Sequence, residues 1–351
     1  MSETVGFLYE ITSPPSMAGK NPPIGHLDLV FSELEPDGIQ GAVIEYGERT
    51  LGAAAVKARP VSSKGVIQSR FQEMPLRDIG LLYNCMGRPI RMQQLQEPGA
   101  LPPVIYENAV FELDADKSRM HSEMLEPTGI SIDTAAIHDA AEAVAFLDRY
   151  DDVGEFIVKP VKGRGGRGVQ RLQRYAVLPT LQQRPELLSP DNTHIIQPAF
   201  DFSIPLPDNI KPYDALAAPR FQQWSQAQAP KEIRLYTFHS PAGTDVFPVG
   251  RAIQNGDHWF FVDPDTIPER LLETALHTTK QIAQATGSLA LYSALDVAYG
   301  AARPQDDPGW RAVELNASYP YIINKDEGHP GIVRYLRHLI ANQIRAVIRH
   351  G

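Results

Sequence analysis

Lys159 stands inside an apolar run, FIVKPV at 156–161, and a glycine-rich stretch follows it: Gly163-Arg164-Gly165-Gly166-Arg167-Gly168. A lysine buried in a strand is costly without an anion beside it. Glycines let backbone N–H groups approach a phosphate without side-chain obstruction. A strand, this turn and a second strand at 168–175 make a hairpin flap, with Arg164 and Arg167 adding charge at its tip. Lys159 and Val161 share one face of the first strand. The run formally contains G-x-G-x-x-G, but the dinucleotide fingerprint needs a helix next, and VQRLQRY reads as a strand. No Lys-Ser or Lys-Thr ends the loop, so it is not a Walker A loop either. Taken alone, the loop fits a plain surface hairpin with a solvated lysine equally well.

A second cluster tips that balance. Glu314 and Asn316 lie two apart in VELNAS, hence on one strand face, and Asp296 lies in the preceding apolar strand, LALYSALDVAY. If those strands are neighbours, two carboxylates and an amide oxygen converge. Such hard oxygen donors suit Mg²⁺ held jointly with substrate phosphates. The bland alternative is a strand-edge glutamate and a core aspartate with an ordinary partner.

Elements that must position these groups can be read from periodicity. Short apolar runs at 5–11, 41–47, 78–87 and 101–107 predict strands broken by Pro and Gly. Residues 134–150 predict a helix with Thr134 as N-cap. HIIQPAF at 194–200 predicts another strand. Residues 201–230 show little periodicity and read as a long loop, a candidate lid. KEIRLYTF, DVFPVGRAIQ and HWFFVD alternate like antiparallel strands. A helix is predicted over 268–286, burying Leu272, Ala275, Leu276, Thr279, Ile282 and Ala283 and stopped by Gly287. The amphipathic helix over 332–350 presents its arginines at 334, 337, 345 and 349 to solvent.

Bulk properties set limits. The chain has 351 residues, enough for two or three structural units. A formal net charge of −9 does not advertise a nucleic-acid partner. One cysteine, Cys85, cannot form an internal disulfide. The N-terminus lacks the basic start and apolar stretch of a signal peptide, and no apolar run is long enough to span a membrane, so a cytoplasmic location is expected.

Taken in order, these segments resemble the ATP-grasp superfamily of carboxylate–amine ligases, over roughly residues 105–325. FIVKPVKGRGGRGV looks like its lysine strand and phosphate flap, HIIQPAF like its adenine hinge, KEIRLYTF and RAIQNG like its arginine segments, and SALDVAY with VELNAS like its metal strands. ELDADKSRMHSEMLEPTGI looks like the stretch carrying the first ATP lysine. The resemblance implies an α/β fold, α+β in its ATP-grasp part. An N-terminal α/β domain (1–110) would precede two ATP-grasp subdomains (111–199 and 200–351), clamping ATP between antiparallel sheets.

It also implies roles. Lys117 and Lys159 would contact ATP phosphates, with Gly165, Gly166 and Gly168 closing over them. Gln197 and Ala199 would meet the adenine, and Asp201 the ribose. Arg234 and Arg251 would steady phosphate or acyl-phosphate charge. Asp296, Glu314 and Asn316 would hold Mg²⁺, with Asn255 a weaker candidate nearby. The implied partners are a small-molecule or peptide carboxylate and an amine, and many such ligases are homo-oligomers. One departure concerns the arginine that often precedes the metal aspartate. Ser293 and Ala294 stand there, so Arg251 is expected to supply that charge. A small-molecule kinase of the same fold and a non-catalytic nucleotide-binding protein are the rival readings.

Overall fold

The computed structural model describes residues 4–10, 27–46, 55–62, 70–84, 102–105, 108–162, 168–184, 188, 193–252, 259–303, 305–317 and 330–350. Three sheets organise it. The first contains β1 (Thr4–Glu10), β2 (Gln40–Tyr46), β3 (Ala55–Val61), β4 (Gln72–Pro75), β5 (Ile79–Asn84) and β6 (Val104–Ile105), in the order β4-β3-β2-β1-β5-β6. Strands β2, β1, β5 and β6 run parallel, and β3 and β4 are antiparallel additions. Val5, Phe7, Val43, Leu81 and Tyr83 pack with α1 (Leu27–Leu34) on one face, and Leu8, Ala42, Ile44 and Leu82 fill the other. Burial on both faces explains the near-continuous apolar runs in sequence.

Helices α2 (Asn108–Asp114) and α3 (Lys117–Arg119) lead to the second sheet: β7 (Ala135–Ile137), β8 (Glu155–Pro160), β9 (Gln170–Gln173) and β10 (His194–Pro198), ordered β7-β10-β8-β9 and antiparallel. Helices α4 (Ala140–Asp148) and α5 (Arg174–Gln183) cover one face, where Phe146, Phe156, Val158, Val177, Leu181 and Ile196 form a core. Strand alternation therefore puts Ile157, Lys159, Ile195 and Gln197 on the opposite face. The helix predicted over 134–150 begins only at Ala140. Asp139, not Thr134, caps it by accepting the Glu142 N–H at 2.8 Å, because 135–137 are taken as an edge strand beside β10.

Between the second and third sheets, 201–230 is not an open loop. It contains α6 (Ala218–Gln226), whose Phe221 and Trp224 are buried. Trp224 packs so closely on Gly250 that a Cβ there would come within 2.5 Å of the indole. The third sheet holds β11 (Lys231–Ser240), β12 (Gly243–Ala252), β13 (Trp259–Phe261), β14 (Leu291–Gly300) and β15 (Gly309–Asn316), ordered β13-β12-β11-β14-β15 and antiparallel throughout. Helix α7 (Glu269–Thr286) packs on β11 and β14. Its buried face includes Ala275, Thr279, Ile282 and Ala283 as predicted, but Leu271, Thr274 and Thr278 join it, while Leu272 and Leu276 are only half-buried. The threonine hydroxyls bond back to helix carbonyls, as Thr278 does to Thr274 at 2.9 Å, which lets them be buried.

Helix α8 (Pro330–His350) packs on α1 and β11, joining the first and third sheets. Its arginines are not a purely solvated face. Arg337 is buried, and Arg345 and Arg349 both bond Asp37 beyond α1, at 2.7 and 2.9 Å. No helix among the described residues is long and apolar enough to cross a membrane.

One glycine ties the sheets together. Asp201, just beyond β10, exchanges two backbone hydrogen bonds with Ala301 at the end of β14. A Cβ on Gly300 would fall 1.8 Å from the Asp201 carbonyl oxygen. Gly300→Ala must push that backbone apart, and the expected loss is about 1–3 kcal/mol in chemical denaturation. Unchanged stability would contradict this close approach.

Candidate active site

A row of charges crosses one face of the third sheet. Strand register pairs Arg234 with Asp296, and Asp296 with Glu314 on the next strand. Arg234 donates Nε and Nη2 to the two Asp296 oxygens at 2.6 and 2.8 Å, the bidentate fork that guanidinium and carboxylate planes favour. Asn316 Nδ2 donates to Asp296 Oδ2 at 3.2 Å. Asp296 is 2% exposed and Arg234 7%. Burial opposes the charge on Arg234, yet Asp296 outweighs it and holds the guanidinium well above its ordinary value. Burial likewise pushes the Asp296 carboxyl up, with Arg234 opposing.

A parallel row lies one residue pair away, where Trp259, Arg251 and Glu232 align across β13, β12 and β11. Arg251 Nη1 donates to Glu232 Oε1 at 3.1 Å, and its guanidinium lies 5.2 Å from the Trp259 ring centre. This end of the face carries the charges. At the other end Phe247 meets Tyr335 of α8.

The facing wall is built by α3 and β8. The Lys117 N–H donates to the Val161 carbonyl at 3.2 Å, and its ammonium reaches Glu314 Oε1 at 3.4 Å. Lys117 thus spans from the β8 side to the third sheet. The Ala312 N–H, bonded to the Ile130 carbonyl at 2.8 Å, holds the two walls together. Lys159 is half-buried on the helix-free face of β8. Burial pushes its ammonium pKa down, Glu314 opposes that shift, and Lys117 adds to it. Gln197 lies on the same face two residues from Lys159's strand partner, Ile195, and is 7% exposed. Ala199 donates its N–H to the Glu155 carbonyl at 2.9 Å, so that donor is committed within the chain. Asp201 is exposed and accepts the Ser203 N–H at 2.9 Å. Gly168 has φ +77°, and a Cβ there would meet the Pro160 ring at 2.8 Å, so the base of the flap requires glycine. Gly165, Gly166, Arg164, Arg167, Asn255 and Cys85 lie outside the described residues.

Two assignments shift in role. Arg234, expected to steady acyl-phosphate charge, has donors engaged on Asp296 instead. The charge next to Asp296, expected from Arg251, therefore comes from Arg234. Two further groups escaped the sequence reading. Glu232, on Arg234's face, is nearly buried. Its carboxyl is pushed up to about 7 by burial and by Asp296, with Arg234 and Arg251 opposing. Its signal was an acid opening an apolar strand. His121, four residues past Lys117, lies within electrostatic reach of Glu126, Asp133 and Lys159, and burial lowers its pKa. Spacing alone gave no signal for it.

The Glu232 shift has a measurable consequence. Below about pH 7 the carboxyl is protonated and its pairing with Arg251 loses the charge–charge component; above it, that component is complete. Any turnover relying on Arg251 should rise with pH through an acidic limb near 7, and Glu232→Gln should flatten that limb. A limb unmoved in the variant would remove Glu232 from the site.

No family model matches the sequence, and no curated protein matches it. Solved structures do. D-cycloserine synthetase DcsG superposes with a TM-score of 0.55 at 14% identity, covering 97% of this chain and 99% of that one. The VanG D-Ala:D-Ser ligase of Enterococcus faecalis gives 0.56 at 10% identity, covering 99% and 100%. A RiPP-associated ATP-grasp ligase of Chryseobacterium gregarium, in complex with ADP and a leader and core peptide, gives 0.50 at 11%, covering 97% and 96%. The chain has the ATP-grasp fold. In this fold the second and third sheets are the walls that carry Lys159 and Gln197 on one side and Asp296 and Glu314 on the other.

Whether the donors fit Mg²⁺ is a matter of their chemistry. Asp296, Glu314 and Asn316 offer only oxygens and a neutral amide, the right class for a hard cation. Both Asp296 oxygens accept internal hydrogen bonds, and Glu314 is bonded to Lys117. Among the described residues no group of three His, Cys, Asp or Glu forms a metal cage. Two carboxylates with an amide suit a cation that takes its remaining ligands from substrate phosphates, as Mg²⁺ commonly does.

Proposed function

We propose that this chain is an ATP-dependent carboxylate–amine ligase, forming an amide or peptide bond through an acyl phosphate and releasing ADP and phosphate. The observation that carries the reading is the junction of the Arg234–Asp296–Glu314 row with Lys117 and the Lys159 strand. Cations on one wall and oxygen donors on the other are what a triphosphate with a divalent cation needs. The solved neighbours include a synthetase, a D-Ala:D-Ser ligase and a peptide-associated ligase, which supports carbon–nitrogen bond formation.

In this reading Lys159 and Lys117 neutralise phosphate charge and Gln197 orients the base, with Asp201 at the ribose. Lys117 must release Glu314 to do so, freeing a carboxylate for the cation. Asp296, Glu314 and Asn316 would hold Mg²⁺, which supplies charge neutralisation between the phosphates. Arg234 fixes Asp296. Arg251, whose side chain is 33% exposed and pairs with Glu232, would steady the acyl phosphate. The glycine-rich sequence at 163–168 would supply backbone N–H groups to the phosphates and exclude water, which would otherwise hydrolyse the intermediate. The chain would divide into an N-terminal unit over 1–110 and two ATP-grasp subdomains over 111–199 and 200–351, a reading supported by one sheet falling in each range. The substrates are a small-molecule or peptide carboxylate and an amine.

A matrix of carboxylates and amines, read by phosphate release, tests the reading. Phosphate should appear only with both present, and hydroxylamine in place of the amine should yield a hydroxamate. Phosphate transferred to a hydroxyl acceptor, or ATP binding without turnover for any pair, would overturn it.

A further inference from the structure

Lys231 opens β11 and is 2% exposed, on the face opposite Glu232 and Arg234. Its ammonium donates to four backbone carbonyls: Ala227 at 2.7 Å, Ile204 at 2.8 Å, Ala229 at 3.0 Å and Ser203 at 3.3 Å. An ammonium has three donors and no acceptor, so four carbonyls satisfy every proton and surround the charge with negative dipole ends. A cage of backbone carbonyls is the environment that otherwise holds a small desolvated cation.

These carbonyls come from both ends of the 203–229 excursion. The Lys231 N–H also donates to Phe202, and the Leu206 N–H to Ser225. The excursion is therefore drawn shut at its neck. The neck lies where the chain passes from β10, which carries Gln197, to β11, which carries Glu232 and Arg234. Asp201, at its entrance, is bonded to Ala301 in both directions. The two walls of the cleft are joined here by backbone hydrogen bonds at the neck of the segment.

We infer that Lys231 is the built-in cation of this cage, a positioning residue that sets the junction between the cleft walls. Removing its side chain should leave a site for an external primary ammonium ion. The link to nucleotide use rests on the ligase reading; the cage does not.

The test uses the full chain with Lys231→Ala, Lys231→Met and Lys231→Arg. Without nucleotide, tryptic cleavage after Arg220 in α6 should rise about tenfold in Lys231→Ala, because a tied segment becomes locally open. Ethylammonium should restore protection, whereas tetramethylammonium, with no N–H to donate, should not. Lys231→Arg should be protected better than Lys231→Met, an ordering that stands even if Lys231→Ala fails to fold. With ATP, KM should rise more than kcat falls, and ethylammonium should lower KM again. Equal rescue by both ammonium ions, or wild-type protection in Lys231→Met, overturns the cage. Rescue of protection with no ATP turnover in the wild type would sink the ligase reading and leave the cage intact.

Discussion

Lys159→Met is expected to cut ATP turnover by roughly 10²–10³-fold, the usual cost of one preorganised charge donor, with no loss of melting temperature. Two opposing features of Lys159 produce this split. It faces away from the α4–α5 core, on the face of β8 shared with Gln197. Burial and Lys117 both push its pKa down, and Glu314 opposes them. A lysine whose folded pKa is depressed binds its proton more weakly than in the unfolded chain. Below the folded pKa both states are protonated and the folded state bears the full cost. The cost fades as pH rises towards the unfolded value of 10.5. Methionine keeps the aliphatic stem and removes the charge, so any gain in stability should be largest at neutral pH and vanish at high pH. Phosphate release and thermal melts across pH separate the two effects. Full turnover in the variant would remove Lys159 from the site.

Much of this site was legible because its residues break local rules. A lysine in FIVKPV and acids in LALYSALDVAY and VELNAS are expensive in apolar strands, so each announces a partner. Alternation then placed Glu314 and Asn316 on one face. Strand register was not legible, because it depends on pairing across long separations. Arg234 and Asp296 are 62 residues apart, and only the β11–β14 alignment makes them a fork. The same limit sent the charge beside Asp296 to Arg251 in the sequence reading. Residues 201–230 were misread for a related reason. Their helix buries only Phe221 and Trp224 among its large residues, and its support comes from Gly250 and Phe260 on the third sheet. At 134–150 the predicted helix start lost to pairing with β10, a tertiary preference that local propensity does not contain.

Arg234→Met tests what the buried fork is for. Removing one partner leaves Asp296 uncompensated, and the expected loss is about 3–5 kcal/mol, read by chemical denaturation. Replacing both partners by uncharged groups of similar size is often neutral, because two desolvation penalties disappear with the attraction. Arg234→Met combined with Asp296→Asn should therefore regain most of the lost stability. Turnover should not return, since the proposed metal site loses its Asp296 carboxylate. Such a cycle distinguishes a pair kept for chemistry from one kept for folding. If the single variant is as stable as the wild type, the fork does not carry a buried charge. If the double variant turns over ATP, Asp296 is not a metal-side donor. A stable but inactive double variant is the result that the proposed site predicts: an apolar sheet tolerates neutral groups at 234 and 296, so charges that are costly to fold there point to a role in the chemistry.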